Sequence, residues 1–203
     1  MTFYGVKDAA DQERITDALK LIDGIYHKHG RTGFFGDNLV ALQRALSFAR
    51  DEPFRAAYDA HAGEEGISKL WRLHTYCWAA RSALSVPGDF VECGVYKGFY
   101  AGILTDYLRF ETRDKEFYLY DTFEGLVEGW SREAEREAVN PQFDWEGTYE
   151  SVVARYASYP NVHVVKGVVP DILEQRAPEH IAFLHLDLNA ALAETAALDK
   201  LAR

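Results

Sequence analysis

Two spacings of apolar residues divide the chain. Along residues 1–85 apolar positions recur every three to four residues, the period of a helix that buries one face. In "NLVALQRALSFAR" (38–50) Leu39, Leu42, Leu46 and Phe48 fall roughly on one face, and Asp37 or Asn38 can cap the start, so a helix is predicted there. In "GISKLWRLHTYCWAARSAL" (66–84) Ile67, Leu70, Trp71, His74, Cys77, Trp78 and Leu84 keep the same spacing, and Pro87-Gly88 ends the run. Beyond that break, short apolar runs ("DFVEC", "EFYLYD", "NVHVVKG", "IAFLHLD") alternate with helical stretches ("GFYAGILTDYLRF", "TYESVVARYASY", "VPDILEQRA", "AALAETAALDKLA"). Strands that alternate with helices predict right-handed crossovers and a parallel sheet covered on both faces. The predicted class is α/β, with a helical extension over 1–85 and a sheet domain over 86–203.

In open sheets of this kind ligands lie beyond the carboxyl ends of the strands, where the strand order reverses. The first strand ends at Glu92 and is followed by Gly94 and Gly98 just before the next helix. Glycines allow a tight turn, and a helix start with a neighbouring carboxylate offers donors and an acceptor together. The dinucleotide fingerprint asks for Gly-x-Gly-x-x-Gly, whereas Tyr96 stands where the middle glycine would be, which argues against a pyrophosphate and a nicotinamide-dependent oxidoreductase. The second strand ends at Asp121, where such folds accept hydrogen bonds from a ribose diol; the plainer reading is that Asp121 caps the turn "DTFEG". The third strand ends at Lys166-Gly167 and the fourth at Asp187, a carboxylate placed to hold a divalent metal or to orient a substrate hydroxyl. With only Asn189 beside it, Asp187 is an incomplete set for a hard cation that prefers octahedral oxygen ligands.

Bulk properties narrow the classes. The chain has 203 residues, enough for one ordinary domain with a substantial core, and its net charge of −10 opposes a sequence-independent grip on nucleic acid. Cys77 and Cys93 lie in a predicted helix and a predicted strand, which reads as two reduced core thiols of a cytoplasmic protein. The amino terminus lacks the basic start and apolar stretch of a signal peptide, and no run reaches the ~20 apolar residues of a membrane span. Nucleotide-loop and Gly-x-Ser-x-Gly motifs are absent.

Taken together and in order, "GDFVECGVYKG", "YLYDTFEGL", "VVKGVVPDIL" and "IAFLHLDLN" resemble the class I S-adenosylmethionine-dependent methyltransferases, and more narrowly the macrocin O-methyltransferase family, whose characterised members methylate sugar hydroxyls with a magnesium ion. The resemblance covers 67–203, and "FFGDNLVALQRALSFARDEPF" looks like the amino-terminal extension of relatives of this group. It implies a Rossmann-like sheet and S-adenosylmethionine as cofactor. It implies that Glu92, Gly94, Tyr96 and Gly98 form the cofactor loop, with Glu92 toward the amino-acid end of the cofactor. Asp121 would hold the ribose, Thr122 and Phe123 would follow along the adenosine, and Lys166-Gly167 would lie near the adenine. Asp187 would be the catalytic and first metal-binding aspartate, with Mg2+ as the metal. Asn189 stands where better-known members carry a second aspartate, and the family continues past the fourth helix into further strands and an Asp-Asp pair, whereas this chain stops at Leu201-Ala202-Arg203. A truncated member with an unpaired edge on its last strand is the expectation.

The activity this implies is O-methylation of a sugar, a glycan precursor or a related small molecule. The alternative is a catalytically incomplete module that binds a nucleoside cofactor or a partner protein. The aromatic-rich helices ahead of the sheet are compatible with a homodimer. His27-x-His29 reads as a solvated loop, His74 as a packed core histidine and Cys93 as a packed thiol. His185, two residues before Asp187, faces either the site or the packing helix. The acidic stretch "REAEREAVNPQFDWEG" is a candidate substrate lid, or a solvated helix and turn.

Overall fold

The computed structural model describes residues 5–44, 46–63 and 69–202. Ile67 of the predicted second helix and the terminal Arg203 lie outside the described residues. The chain divides into two compact units, Met1–Cys77 and Trp78–Arg203.

The first unit opens with α1 (Ala9–Lys28), capped by Asp8, whose carboxylate accepts from the Asp11 amide. A hairpin follows, with β1 (Gly33–Gly36) antiparallel to β2 (Leu39–Leu42), then α2 (Ser47–Arg50) and α3 (Glu52–His61). The helix expected over 38–50 is therefore corrected to a strand, a connection and one short turn of helix. Asp37 and Asn38 have φ of 51° and 59°, the left-handed pair that a two-residue hairpin turn needs and that Asp and Asn tolerate. The Asp37 carboxylate, 1% exposed, is gripped by Arg72 through bonds of 2.6 Å from both Nε and Nη2. That bidentate geometry locks the turn in place. Asp51 caps α3 by accepting from the Phe54 amide, and Phe54 and Tyr58 are fully buried. His74 sits against Phe54 with Nε2 3.6 Å from Asp51, in a packed rather than ligating position. His27 is exposed, 3.7 Å from Asp23.

The helix α4 (Leu70–Ala83) carries the chain across the division between the units and stops short of Pro87. Trp78, expected on its packed face, is 63% exposed.

The second unit alternates as the apolar runs predict: β3 (Asp89–Cys93), α5 (Phe99–Leu108), β4 (Phe117–Asp121), α6 (Glu133–Val139), α7 (Thr148–Tyr156), β5 (Val162–Lys166), α8 (Leu173–Arg176), β6 (Ile181–Leu186) and α9 (Ala191–Leu201). The four strands pair in parallel in the order β5-β4-β3-β6. The helix expected over "VPDILEQRA" is only the short α8. Strand alternation sends Val91, Cys93 and Tyr120 to one face, against Val169, Leu173 and Ala197. Phe90 and Phe183 point to the other, where Phe90 meets Phe110, Phe117 and Phe183 at centroid distances of 5.3, 6.1 and 5.1 Å. Both faces of the sheet are thus covered, as parallel strands require. No helix among the described residues is long and apolar enough to cross a membrane.

Candidate functional site

The chain builds outward from β3 through β4 to β5, then returns to the opposite side of β3 as β6. The order therefore reverses between β3 and β6, and the carboxyl ends of those strands frame the crevice where open α/β sheets bind ligands. Glu92 and His185 are cross-strand partners there. The Glu92 side chain is 1% exposed and its Oε2 lies 3.7 Å from His185 Nδ1, while the imidazole stacks on Tyr100 of α5 at 5.4 Å. His185 thus faces the packing helix and Glu92 together.

The turn after β3 is held from both sides. Gly94 has φ +94°, and a Cβ there would fall 2.0 Å from the Asp187 carbonyl oxygen. Glycine is needed at this point because the chain leaving β3 runs against the chain leaving β6, joined also by the Asp187 amide donating to the Cys93 carbonyl at 2.9 Å. Gly98, at φ +72°, begins α5 in a left-handed conformation with no side-chain cap.

Asp121, 8% exposed, organises the loop. Its Oδ2 accepts from the Val95 and Tyr96 amides at 2.7 and 2.8 Å, and its Oδ1 accepts from the Phe123 amide at 2.7 Å. The turn-capping reading of Asp121 is realised, and extends across strands to the Gly94–Gly98 loop. A carboxylate has about four lone-pair sites, so three amides leave it limited further accepting capacity. Thr122 donates its hydroxyl to the Gly125 carbonyl at 2.8 Å, and Phe123, 2% exposed, packs its ring on Tyr149 at 5.2 Å. Lys166 pairs with Glu124 at 2.6 Å, with Nζ 5.5 Å from the Tyr149 ring centroid, and the Gly167 amide donates to the Asp121 carbonyl at 2.9 Å.

Two buried carboxylates at neighbouring strand ends make a negative site. Burial first, then Glu92 and Asp121, push the Cys93 thiol far above its usual range, and burial followed by Glu92 does the same to the Tyr156 hydroxyl. Cys93 is an inert packed thiol.

The Tyr96 side chain contacts the segment after α6. Its ring meets Phe143 and Trp145 edge-on at 4.9 and 5.1 Å, and its hydroxyl accepts from the Asp144 amide at 3.2 Å. Phe143 and Trp145 lie within the stretch "REAEREAVNPQFDWEG" read as a candidate lid, whereas Tyr149, just beyond it, escapes that reading; its signal is the aromatic density of "QFDWEGTY".

Asp187 and Asn189 are exposed, and Asn189 has φ 54°. Among the described residues no group of three or more His, Cys, Asp or Glu side chains comes together to hold a metal. One carboxylate and one amide do not meet the octahedral oxygen preference of Mg2+. S-adenosylmethionine fits better: its sulfonium and ammonium are cations, and Glu92 and Asp121 supply the opposite charge.

A parallel α/β sheet covered by helices on both faces, with its strand order reversing beside the first strand, is a Rossmann-like fold. Residues 10–203 match the family described as Macrocin-O-methyltransferase (TylF), and the chain belongs to that family. It is similar in fold to "Structure of the O-methyltransferase NovP", with a TM-score of 0.54 and 23% identity over 64% of this chain and 59% of that one. The chain thus matches just under three fifths of that protein's length. A weaker likeness is to "Crystal Structure of CalS11, Calicheamicin Methyltransferase", with a TM-score of 0.45 and 18% identity over 78% of this chain and 76% of that one. No curated protein matches the chain.

Proposed function

We propose that this protein is an S-adenosylmethionine-dependent O-methyltransferase acting on a hydroxyl of a sugar, a glycan precursor or a related small molecule. The observation that carries the reading is the pair of buried carboxylates, Glu92 and Asp121, at the ends of β3 and β4 beside the point of order reversal. Buried negative charge there favours a cationic nucleoside cofactor and opposes a dinucleotide pyrophosphate. Family membership supports methyl transfer to oxygen.

Bound there, the cofactor supplies an electrophilic methyl group on a sulfonium that is already a good leaving group. The residues of this chain have the tasks of alignment and of proton handling. Glu92 faces the cationic amino-acid end, Gly94 and Gly98 shape the loop, and Asp121 holds the Val95 and Tyr96 amides in position. The remaining acceptor capacity of Asp121 is directed at a ribose hydroxyl, with Thr122, Phe123, Lys166 and Gly167 along the nucleoside. Asp187, exposed at the end of β6, orients the acceptor hydroxyl and takes up its proton.

Transfer of a labelled methyl group from S-adenosylmethionine to a panel of sugar and natural-product hydroxyls tests this reading. Asp187→Asn is expected to lower the rate roughly 10²-fold or more, the usual contribution of a positioned base, with little change in cofactor affinity. A protein that binds the cofactor but methylates nothing, with or without Mg2+, would instead be a catalytically incomplete module that binds a nucleoside cofactor.

A further inference from the structure

We propose that the segment 126–147, which contains the candidate lid 132–147, is a lid and that Tyr96 is the positioning residue that seats it on the Gly94–Gly98 loop, so that cofactor binding and lid ordering are coupled; only the identity of the cofactor rests on the preceding reading. The main chain and the side chain of Tyr96 serve different partners. Its amide donates to Asp121 at 2.8 Å, tying it to the strand ends, while its hydroxyl and ring hold Asp144, Phe143 and Trp145. Its φ of 48° is a left-handed conformation, uncommon for a bulky residue.

The lid moves as a piece because it is cross-braced internally. The Asn140 side chain accepts from the Leu126 amide at 2.8 Å and donates to the Leu126 carbonyl at 3.2 Å, and Arg136 donates to the Ser131 carbonyl at 2.6 Å. Elsewhere it meets the strand-end region through single polar contacts: Trp130 donates to Asp171 at 3.1 Å, and the Ala191 amide to Glu135 at 3.5 Å. The aromatic contacts are therefore concentrated at Tyr96. This junction is releasable. Its three rings are only part-buried, its hydrogen bond is 3.2 Å long, and the Trp145 indole N–H is buried with no acceptor among the described residues. A ligand that stiffens the Gly94–Gly98 loop stiffens Tyr96 and with it the lid. By linkage, whatever factor the cofactor adds to the affinity for an acceptor that favours the seated lid, that acceptor adds to the affinity for the cofactor.

Hydrogen exchange followed by mass spectrometry on the whole chain tests this, using the parent, Tyr96→Phe and Tyr96→Leu, with and without S-adenosylhomocysteine. Without ligand, Tyr96→Leu is expected to speed exchange over residues 140–147 by about tenfold, leaving β4 and β5 unchanged, while Tyr96→Phe stays within about threefold of the parent. With ligand, the lid gains protection in the parent and in Tyr96→Phe but not in Tyr96→Leu. Phe143→Leu, which leaves the cofactor loop intact, is expected to reproduce the loss should Tyr96→Leu unfold. Parent-like lid exchange in both leucine variants overturns the proposal, as does lid protection by the ligand that is equal in parent and Tyr96→Leu. A parent that binds no S-adenosylhomocysteine refutes the cofactor reading, and the ligand-free comparison still decides whether Tyr96 seats the lid.

Discussion

Replacing Asp121 with alanine should damage the protein before it damages any ligand contact. The carboxylate accepts from three main-chain amides, those of Val95, Tyr96 and Phe123, at 2.7–2.8 Å. An orphaned buried donor costs about 1–3 kcal/mol, so three set an upper range of about 3–9 kcal/mol. Tyr96 is only part-buried and its amide can turn to water, which leaves two orphaned donors and an expectation for Asp121→Ala of about 2–6 kcal/mol. Asp121→Asn keeps one acceptor oxygen but turns an NH2 toward either the Val95–Tyr96 pair or Phe123, so its cost should be smaller, about 1–3 kcal/mol. Urea unfolding of the three proteins, with slopes checked for equality, measures both differences. An Asp121→Ala protein within about 1 kcal/mol of the parent would refute the view that this side chain organises the loop. If Asp121→Asn folds well yet loses S-adenosylhomocysteine, a direct ribose contact is added to the structural one.

Gly94→Ala places a Cβ 2.0 Å from the Asp187 carbonyl at φ +94°, whereas at Gly98 the nearest contact would be an ordinary 3.5 Å. The first substitution should cost more than about 3 kcal/mol and abolish ligand binding, the second only about 1 kcal/mol; similar melting temperatures for the two would contradict this. The Cys93 thiol, ordinarily near 9.0, and the Tyr156 hydroxyl, ordinarily near 10.0, are both raised in the folded protein. Their contribution to stability is complete below those ordinary values and is lost as pH rises above them, because the unfolded chain can ionise and the folded one cannot, at up to about 1.4 kcal/mol per pH unit for each group. The urea midpoint should therefore fall between pH 8.5 and 11, less steeply in Cys93→Ala, and a midpoint that rises over that window would refute the assignment.

What could be read along the chain was whatever depends on local period and punctuation. "DFVEC", "EFYLYD", "NVHVVKG" and "IAFLHLD" are short apolar runs bounded by turn residues, and each became a strand within a residue or two of its expected limits. The hairpin at Gly33–Leu42 was misread because Leu39, Leu42 and Leu46 happen to share helical spacing, while the decisive signal was the Asp37-Asn38 pair between Phe35-Gly36 and Leu39-Val40. At the candidate site, the glycine turn and the strand-end acids were legible as residue types. Their partners were not, because the Asp121–Val95, Glu92–His185 and Tyr96–Trp145 contacts are set by strand register and loop packing. The placement of Gly94 shows the same limit: its absent side chain makes room for the backbone at Asp187, a neighbour on another strand.

The most direct test of the central claim is calorimetric titration of the 203-residue chain, its mass verified, with S-adenosylhomocysteine and, in parallel, with NAD+. The account predicts saturable one-site binding of S-adenosylhomocysteine and none of NAD+. A folded protein that ignores the first ligand, or that binds the second instead, would contradict it.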